Sequence, residues 1–188
     1  MIKYIADREH YTDVLARCET VRHDLWIATA DLKDLYIATQ PASLRKSDMP
    51  LSRLQKKEQS IQPFLALLNR LLRRGVDIRL LHAKEPGDNF REDFDRYPDL
   101  WSNLERKLCP RVHFKIMIFD CTLAYIGSAN LTGAGIGMKG EDSRNFEAGI
   151  LTDEPALVDA AADHLDSVWQ GLHCRTCKRK DFCGDRIS

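Results

Sequence analysis

No apolar run in the 188-residue sequence approaches the ~18 residues that a membrane-spanning helix needs, and the opening MIKYIADREHY lacks the apolar core of a signal peptide. Both absences speak against membrane insertion and lead us to expect a cytoplasmic protein. An excess of one charge is missing as well, with 28 Lys plus Arg against 28 Asp plus Glu. A chain without a net field cannot draw a polyanion to its whole surface, so a nucleic-acid partner would have to be met by a local patch. Internal repeats and low-complexity tracts are also lacking, which argues against a solenoid and against extended disorder. What is there, 44% hydrophobic and 30% charged residues in a chain of this length, is enough for one globular domain with a real core.

Periodicity divides the chain into alternating elements. Tyr11, Val14, Leu15, Cys18 and Val21 recur at three- and four-residue steps and predict a core-packing helix over residues 8–22. DLWIATADL reads as a buried strand, whereas KDLYIATQP is ambiguous and stops at Pro41. Residues 41–60 are polar and broken by proline, and Arg45, Lys46, Arg53, Lys56 and Lys57 make them a basic, mobile surface segment. IQPFLALLNRLLRRG predicts a helix stopped by Gly75, and VDIRLLHA a strand. DNFREDFDRYPDLWSNLERKL predicts a second helical region divided at Pro98. NFEAGILT is a short strand, and EPALVDAAADHLDSVWQG a helix with Pro155 in its first turn and Gly171 at its end. Strands alternating with helices predict an α/β, or mixed α+β, fold: a central mixed sheet flanked by helices.

The chemistry concentrates in VHFKIMIFDCTLAYIGSANLTG, residues 112–133. A strand period of two places His113, Lys115 and Met117 on one face and Phe114, Ile116 and Ile118 on the other. The apolar face is expected to meet the core, leaving the histidine and lysine on the opposite surface. Asp120 begins a turn, and AYIG returns as a second strand that delivers Gly127, Ser128 and Asn130 into a loop of small residues suited to close approach by an anion. Either basic residue alone would pass as structural; the spacing of the whole set is what makes them informative.

That spacing, His113-x-Lys115-x4-Asp120-x6-Gly127-Ser128-x-Asn130, resembles the signature of the phospholipase D superfamily, and Asn145-Phe146-Glu147-Ala148 resembles the family's acidic element on a neighbouring strand. The resemblance extends over roughly residues 1–170 and implies a phospholipase D-like catalytic domain, which we bound at residues 1–171. It implies that His113 is the nucleophile that forms a phosphohistidine, that Lys115 and Asn130 hold the non-bridging oxygens with help from Ser128, and that Glu147 bonds the second ring nitrogen of His113. Asp120 is expected to orient its neighbours rather than to touch substrate. No cofactor is needed for catalysis, since lysine and amide donors can stabilise the charge of a phosphodiester transition state. The chain carries one copy of the motif, and single-copy members resemble homodimers that share one site across a twofold axis. The resemblance therefore implies a homodimer in which the second subunit's copy of His113 is the general acid.

The last residues, GLHCRTCKRKDFCGDRIS, form a Cys-rich tail at 172–188 that predicts a zinc knuckle packed on the same domain. Cys174, Cys177 and Cys183 supply three thiolates; Cys109 is the first candidate for a fourth ligand and His173 the second. An iron–sulfur cluster would use the same thiols, and reduced surface thiols or a disulfide are the plainer alternatives. Arg175, Lys178, Arg179, Lys180 and Arg186 make the tail a second basic patch, either a solvated face or a surface that tracks a nucleic-acid backbone. The superfamily includes nucleases, lipid hydrolases and phosphatidyl transferases. The expectation is a nuclease cleaving DNA or RNA, with a phospholipid-directed enzyme or a non-cleaving nucleic-acid binding module as alternatives.

Overall fold

Apolar residues, many of them branched, build a sheet whose central strands are buried on both sides. The structure, a computed structural model, describes residues 1–33, 35–38 and 61–185. The basic segment expected at 41–60 and Arg186 of the tail lie outside these residues. Among the described residues seven strands form one mixed sheet: β1 (Ile2–Ala6), β2 (Asp24–Thr29), β5 (Asp77–His82), β6 (Glu105–Leu108), β7 (Lys115–Phe119), β8 (Leu123–Gly127) and β9 (Ala148–Thr152), in spatial order β1-β9-β8-β7-β2-β5-β6. β2 runs parallel to β5 and β5 to β6, while β7 is antiparallel to both of its neighbours, β2 and β8. A separate antiparallel pair joins β3 (Tyr36–Ala38) to β4 (Ile61–Pro63).

Alternation sends Ile5, Leu25, Ile27, Ile78, Leu80, Met117 and Phe119 to one face, where α1 (Phe64–Arg73), α2 (Asp88–Asp95) and α3 (Pro98–Asn103) cover them. Ile116, Ile118 and Ala124 point the other way, against Val158, Ala161, Leu165 and Trp169 of α4 (Pro155–Trp169). Each fully buried Leu or Ile contributes about 1.5–3 kcal/mol of transfer free energy, so both layers are needed to hold the sheet. The fold is thus the expected mixed α/β sheet flanked by helices. No helix among the described residues is long and apolar enough to cross a membrane.

Three expectations change in detail. Residues 10–20 bury the predicted stripe, but they do so in a π-helical turn (His10–Val14) followed by a 3-10 turn (Leu15–Thr20) rather than in one α-helix. The change in winding lets His10, Tyr11, Val14, Leu15 and Cys18 all reach the core. The second helical region does break at Pro98, but its end, ERKL, is β6, because pairing with β5 supplies backbone bonds that an isolated last turn would lack. The third change concerns the motif strand. Both faces of β7 are covered, so Lys115 is not on an open surface: it is only 6% exposed, whereas His113 precedes the strand and is exposed.

At the far end of β7 the turn to β8, closed by the Thr122 N–H on the Phe119 carbonyl oxygen at 3.1 Å, places Asp120 and Cys121 both at φ +50°. This left-handed pair costs L-residues about 1–2 kcal/mol each, and such turns usually carry Asn-Gly. Asp120 offsets the cost. Its carboxylate accepts the backbone N–H groups of His23 (2.7 Å), Arg22 (3.0 Å) and Asp24 (3.1 Å), tying the start of β2 to the end of β7 and fixing their register. Burial pushes this carboxyl up, yet the three N–H groups together outweigh it and hold it below its ordinary range. Asp120→Ala is expected to destabilise the fold by about 1–3 kcal/mol, read from urea unfolding at pH 7. The carboxylate's contribution is complete above the unfolded chain's carboxyl pKa and is lost as pH falls through the depressed native value. Wild type and variant should therefore converge in acid, and a gap that stays constant with pH would sink this account.

Candidate active site

β2 and β8 run antiparallel to β7, so their C-terminal ends meet its N-terminal end, and the start of β9 arrives at the same place beside β8. Lys115 is the first residue of β7, and its stem enters the sheet. Its Nζ donates to the carbonyl oxygen of His113 at 2.6 Å and stands 3.4 Å from Nδ1 of the His113 ring. Burial holds the Lys115 ammonium below the ordinary lysine value, while the negative charge of Glu147 acts in the opposite direction. A cation kept dry at a strand end, beside an exposed imidazole, is a prepared partner for an anion.

The loop after β8 starts at Gly127, where no side chain fits: a Cβ would come within 2.2 Å of the Tyr125 hydroxyl oxygen and 2.8 Å of the Ala148 carbonyl oxygen. Ser128 follows, its hydroxyl donating to the Glu147 carboxylate and accepting the Ala148 N–H at 3.1 Å. Asn145 Nδ2 donates to the same carboxylate at 3.0 Å. Asn130 turns its Oδ1 to the Asp31 N–H at 3.1 Å and to Thr29 Oγ1 at 3.3 Å. With its acceptor engaged, the Asn130 amide can offer a ligand only donors.

His113, Lys115, Ser128, Asn130 and Glu147 therefore belong to one end of the sheet. Asp120 does not: it closes the other end of β7, about 17 Å away at ~3.4 Å per strand residue. There its carboxylate is engaged by the backbone N–H groups that lead into β2. Glu147 also differs from expectation, because its carboxylate is engaged by Ser128 and Asn145 rather than by His113. Its position just before β9, opposite the β8 loop, places it beside the Ser128 hydroxyl. Thr29 was not singled out from the sequence. It is fully buried at the end of β2, donates to the Asp31 carbonyl oxygen at 2.9 Å, accepts the Leu131 N–H at 3.1 Å, and so positions Asn130. The available signal was a hydroxyl closing an otherwise apolar strand.

The cysteines of the tail and Cys109 form a second focus. Cys109, Cys174, Cys177 and Cys183 line one cavity of about 230 Å³ together with His173, Arg111 and Val112. All six cysteines of the chain are unpaired.

This layout, a mixed sheet with a His/Lys/Asn/Ser/Glu cluster at one end, defines a phospholipase D-like fold. Residues 51–169 match the family model described as "Cardiolipin synthase, PLD-like domain". The chain belongs to the phospholipase D superfamily. Its structure is similar to Nuc of Salmonella typhimurium, a phospholipase D family member, with a TM-score of 0.58 at 14% identity, covering 90% of this chain and 94% of that one. NucT of Helicobacter pylori is similar at a TM-score of 0.56 and 14% identity, covering 90% and 97%. TrmBL2, an archaeal chromatin protein with a novel mode of DNA binding, gives 0.54 at 11% identity, covering 90% and 52%. None of the curated protein sequences matches the chain.

The buried ammonium carries a stability signature. Native Lys115 holds its proton less tightly than the unfolded chain does, so its charge costs stability at neutral pH, and the cost fades as pH rises past the lowered native value. Lys115→Met is expected to raise the urea midpoint at pH 7, with the gain shrinking as pH climbs toward ~10. A variant less stable than wild type at pH 7 would show that the ammonium is a net structural asset.

Proposed function

We propose that this protein is a phosphodiesterase of the phospholipase D type, acting on DNA or RNA through a phosphohistidine, with one active site shared by two subunits. The observation that carries the reading is the gathering of His113, Lys115, Ser128, Asn130 and Glu147 at one end of the sheet, with a single histidine of this kind in the chain. In the first step a ring nitrogen of His113 attacks phosphorus, an N–P bond forms, and the P–O bond to the leaving group breaks. The leaving oxygen takes a proton from the second subunit's copy of the same histidine. Water then attacks phosphorus, the N–P bond breaks, and that second imidazole recovers its proton from the water. Lys115 and the Asn130 amide bind the non-bridging oxygens where charge gathers. Glu147, with Ser128 on its carboxylate, keeps a negative charge beside Lys115 and can orient the imidazole once substrate draws the ring inward.

Support for a second subunit comes from the surface around the site. Phe146, adjacent to Glu147, is 95% exposed, and Tyr4 on the edge strand β1 is 67% exposed. Support for nucleic acid comes from the exposed Arg175, Lys178, Arg179 and Lys180 of the tail and from the DNA binding of TrmBL2. A lipid phosphodiester is the second reading, favoured by the description of the matching family model.

Wild type and His113→Ala, incubated with labelled single- and double-stranded DNA and RNA and with anionic phospholipid vesicles, test the reaction and its substrate. Cleavage of a nucleic acid is expected, falling at least ~10²-fold in the variant while the circular dichroism stays unchanged. Turnover of phospholipid alone would replace the nuclease reading with the lipid one.

Light scattering should return twice the 21.5 kDa chain mass. Co-refolding equal amounts of wild type and His113→Ala should leave about one quarter of the activity, because only dimers with both histidines turn over. Retention of one half would mean independent sites.

A further inference from the structure

The loop that leads into β7 and the C-terminal turns come from distant parts of the chain and meet at the cavity lined by four cysteines. We propose that Cys109, Cys174, Cys177 and Cys183 bind one zinc ion there as a tetrathiolate, and that this ion fixes the segment carrying His113. The tail has almost no apolar core of its own: Leu172 and Phe182 are 72% and 69% exposed. So short a segment needs another source of order, and a structural metal is the usual one for a Cys-rich turn.

Backbone hydrogen bonds order the turn that carries two of the thiols. Cys177 N–H donates to the Cys174 carbonyl oxygen at 3.1 Å, closing the CxxC turn. Arg179 N–H then points at Cys177 Sγ at 3.4 Å, the kind of backbone donor that stabilises a ligating thiolate. Cys183 Sγ lies 3.6 Å from the Leu108 carbonyl oxygen, and the Leu108 N–H donates to Asp185 Oδ2 at 2.7 Å, so the third thiol is held against the residue preceding Cys109. Zinc with four thiolates carries a net charge of −2, and Arg111 and Lys180 line the same cavity to balance it. As they stand, no three His, Cys, Asp or Glu side chains among the described residues are gathered tightly enough to hold an ion. Binding therefore requires the four thiols to draw together around the ion, releasing four protons.

Cys109 is what gives the site a consequence for the active end. Its N–H donates to the His82 carbonyl oxygen at 2.9 Å and its carbonyl accepts the Val112 N–H at 3.0 Å, one residue before His113. Val112 and Phe114, which flank that histidine, line the cavity too. A zinc–Cys109 bond would clamp this turn from the tail side.

Elemental analysis of protein purified without chelator should find one zinc per chain. Cys109→Ser and Cys177→Ser should lose it, while the Cys121→Ser control and His173→Ala keep it. Because the first two variants can fail to fold, wild type is also titrated with an organomercurial, which should release one zinc as four thiols react in addition to the exposed Cys121. Cobalt-substituted protein should show the intense thiolate-to-metal absorption of a four-sulfur site. Absence of metal, full zinc in Cys109→Ser, or iron with acid-labile sulfide would each overturn the assignment. Amide exchange at residues 111–114 should quicken when the mercurial strips zinc from wild type, and unchanged exchange there would remove the coupling to His113.

Discussion

Lys115 places a positive charge at the first residue of a strand that is covered on both faces, and the candidate site is organised around it. An ammonium with so little access to water is tolerable only where oxygen atoms surround it, and the His113 carbonyl at 2.6 Å is the first of these. Glu147 supplies the compensating charge, and Ser128 and Asn145 hold its carboxylate in place. Such a site has unspent attraction for an anion: the lysine is desolvated in advance, so a bound phosphate would complete its surroundings rather than displace water from them.

Convergence follows from the strand directions. With β7 antiparallel to β2 and to β8, the loops that leave those strands open onto the same end, and Thr29, Ser128 and Asn130 are brought to Lys115 without a long insertion. The opposite end of β7 carries the complementary task. Asp120 there accepts three backbone N–H groups of the β2 lead-in and compensates a strained left-handed turn. One strand thus separates the candidate site from the Asp120 turn by its own length, so a single motif spans both.

Much of this is legible in the sequence. Short apolar runs mark β7, β8 and β9, because a strand covered on both faces is apolar throughout, and helical stripes mark α1 and α4, because burial on one side of a helix leaves a regular trace. The fixed spacing from His113 to Asn130 identifies the superfamily. Less legible were ERKL, whose strand character comes from pairing with β5, and the winding of residues 10–20, which local pattern does not specify. Thr29 was missed for a related reason: its partners, Asn130 and Leu131, are about a hundred positions away.

The amino-acid order by itself determined most of the elements, the motif and its single copy, because these depend on neighbours a few residues apart. Only the tertiary structure decided that Lys115 is buried while His113 is exposed, that Glu147 pairs with Ser128, that Asp120 stands at the far end of its strand, and that Cys109 faces the tail cysteines. Each of these is a matter of which face is covered and which distant strand lies alongside, and period alone cannot say what packs against either side of a sheet.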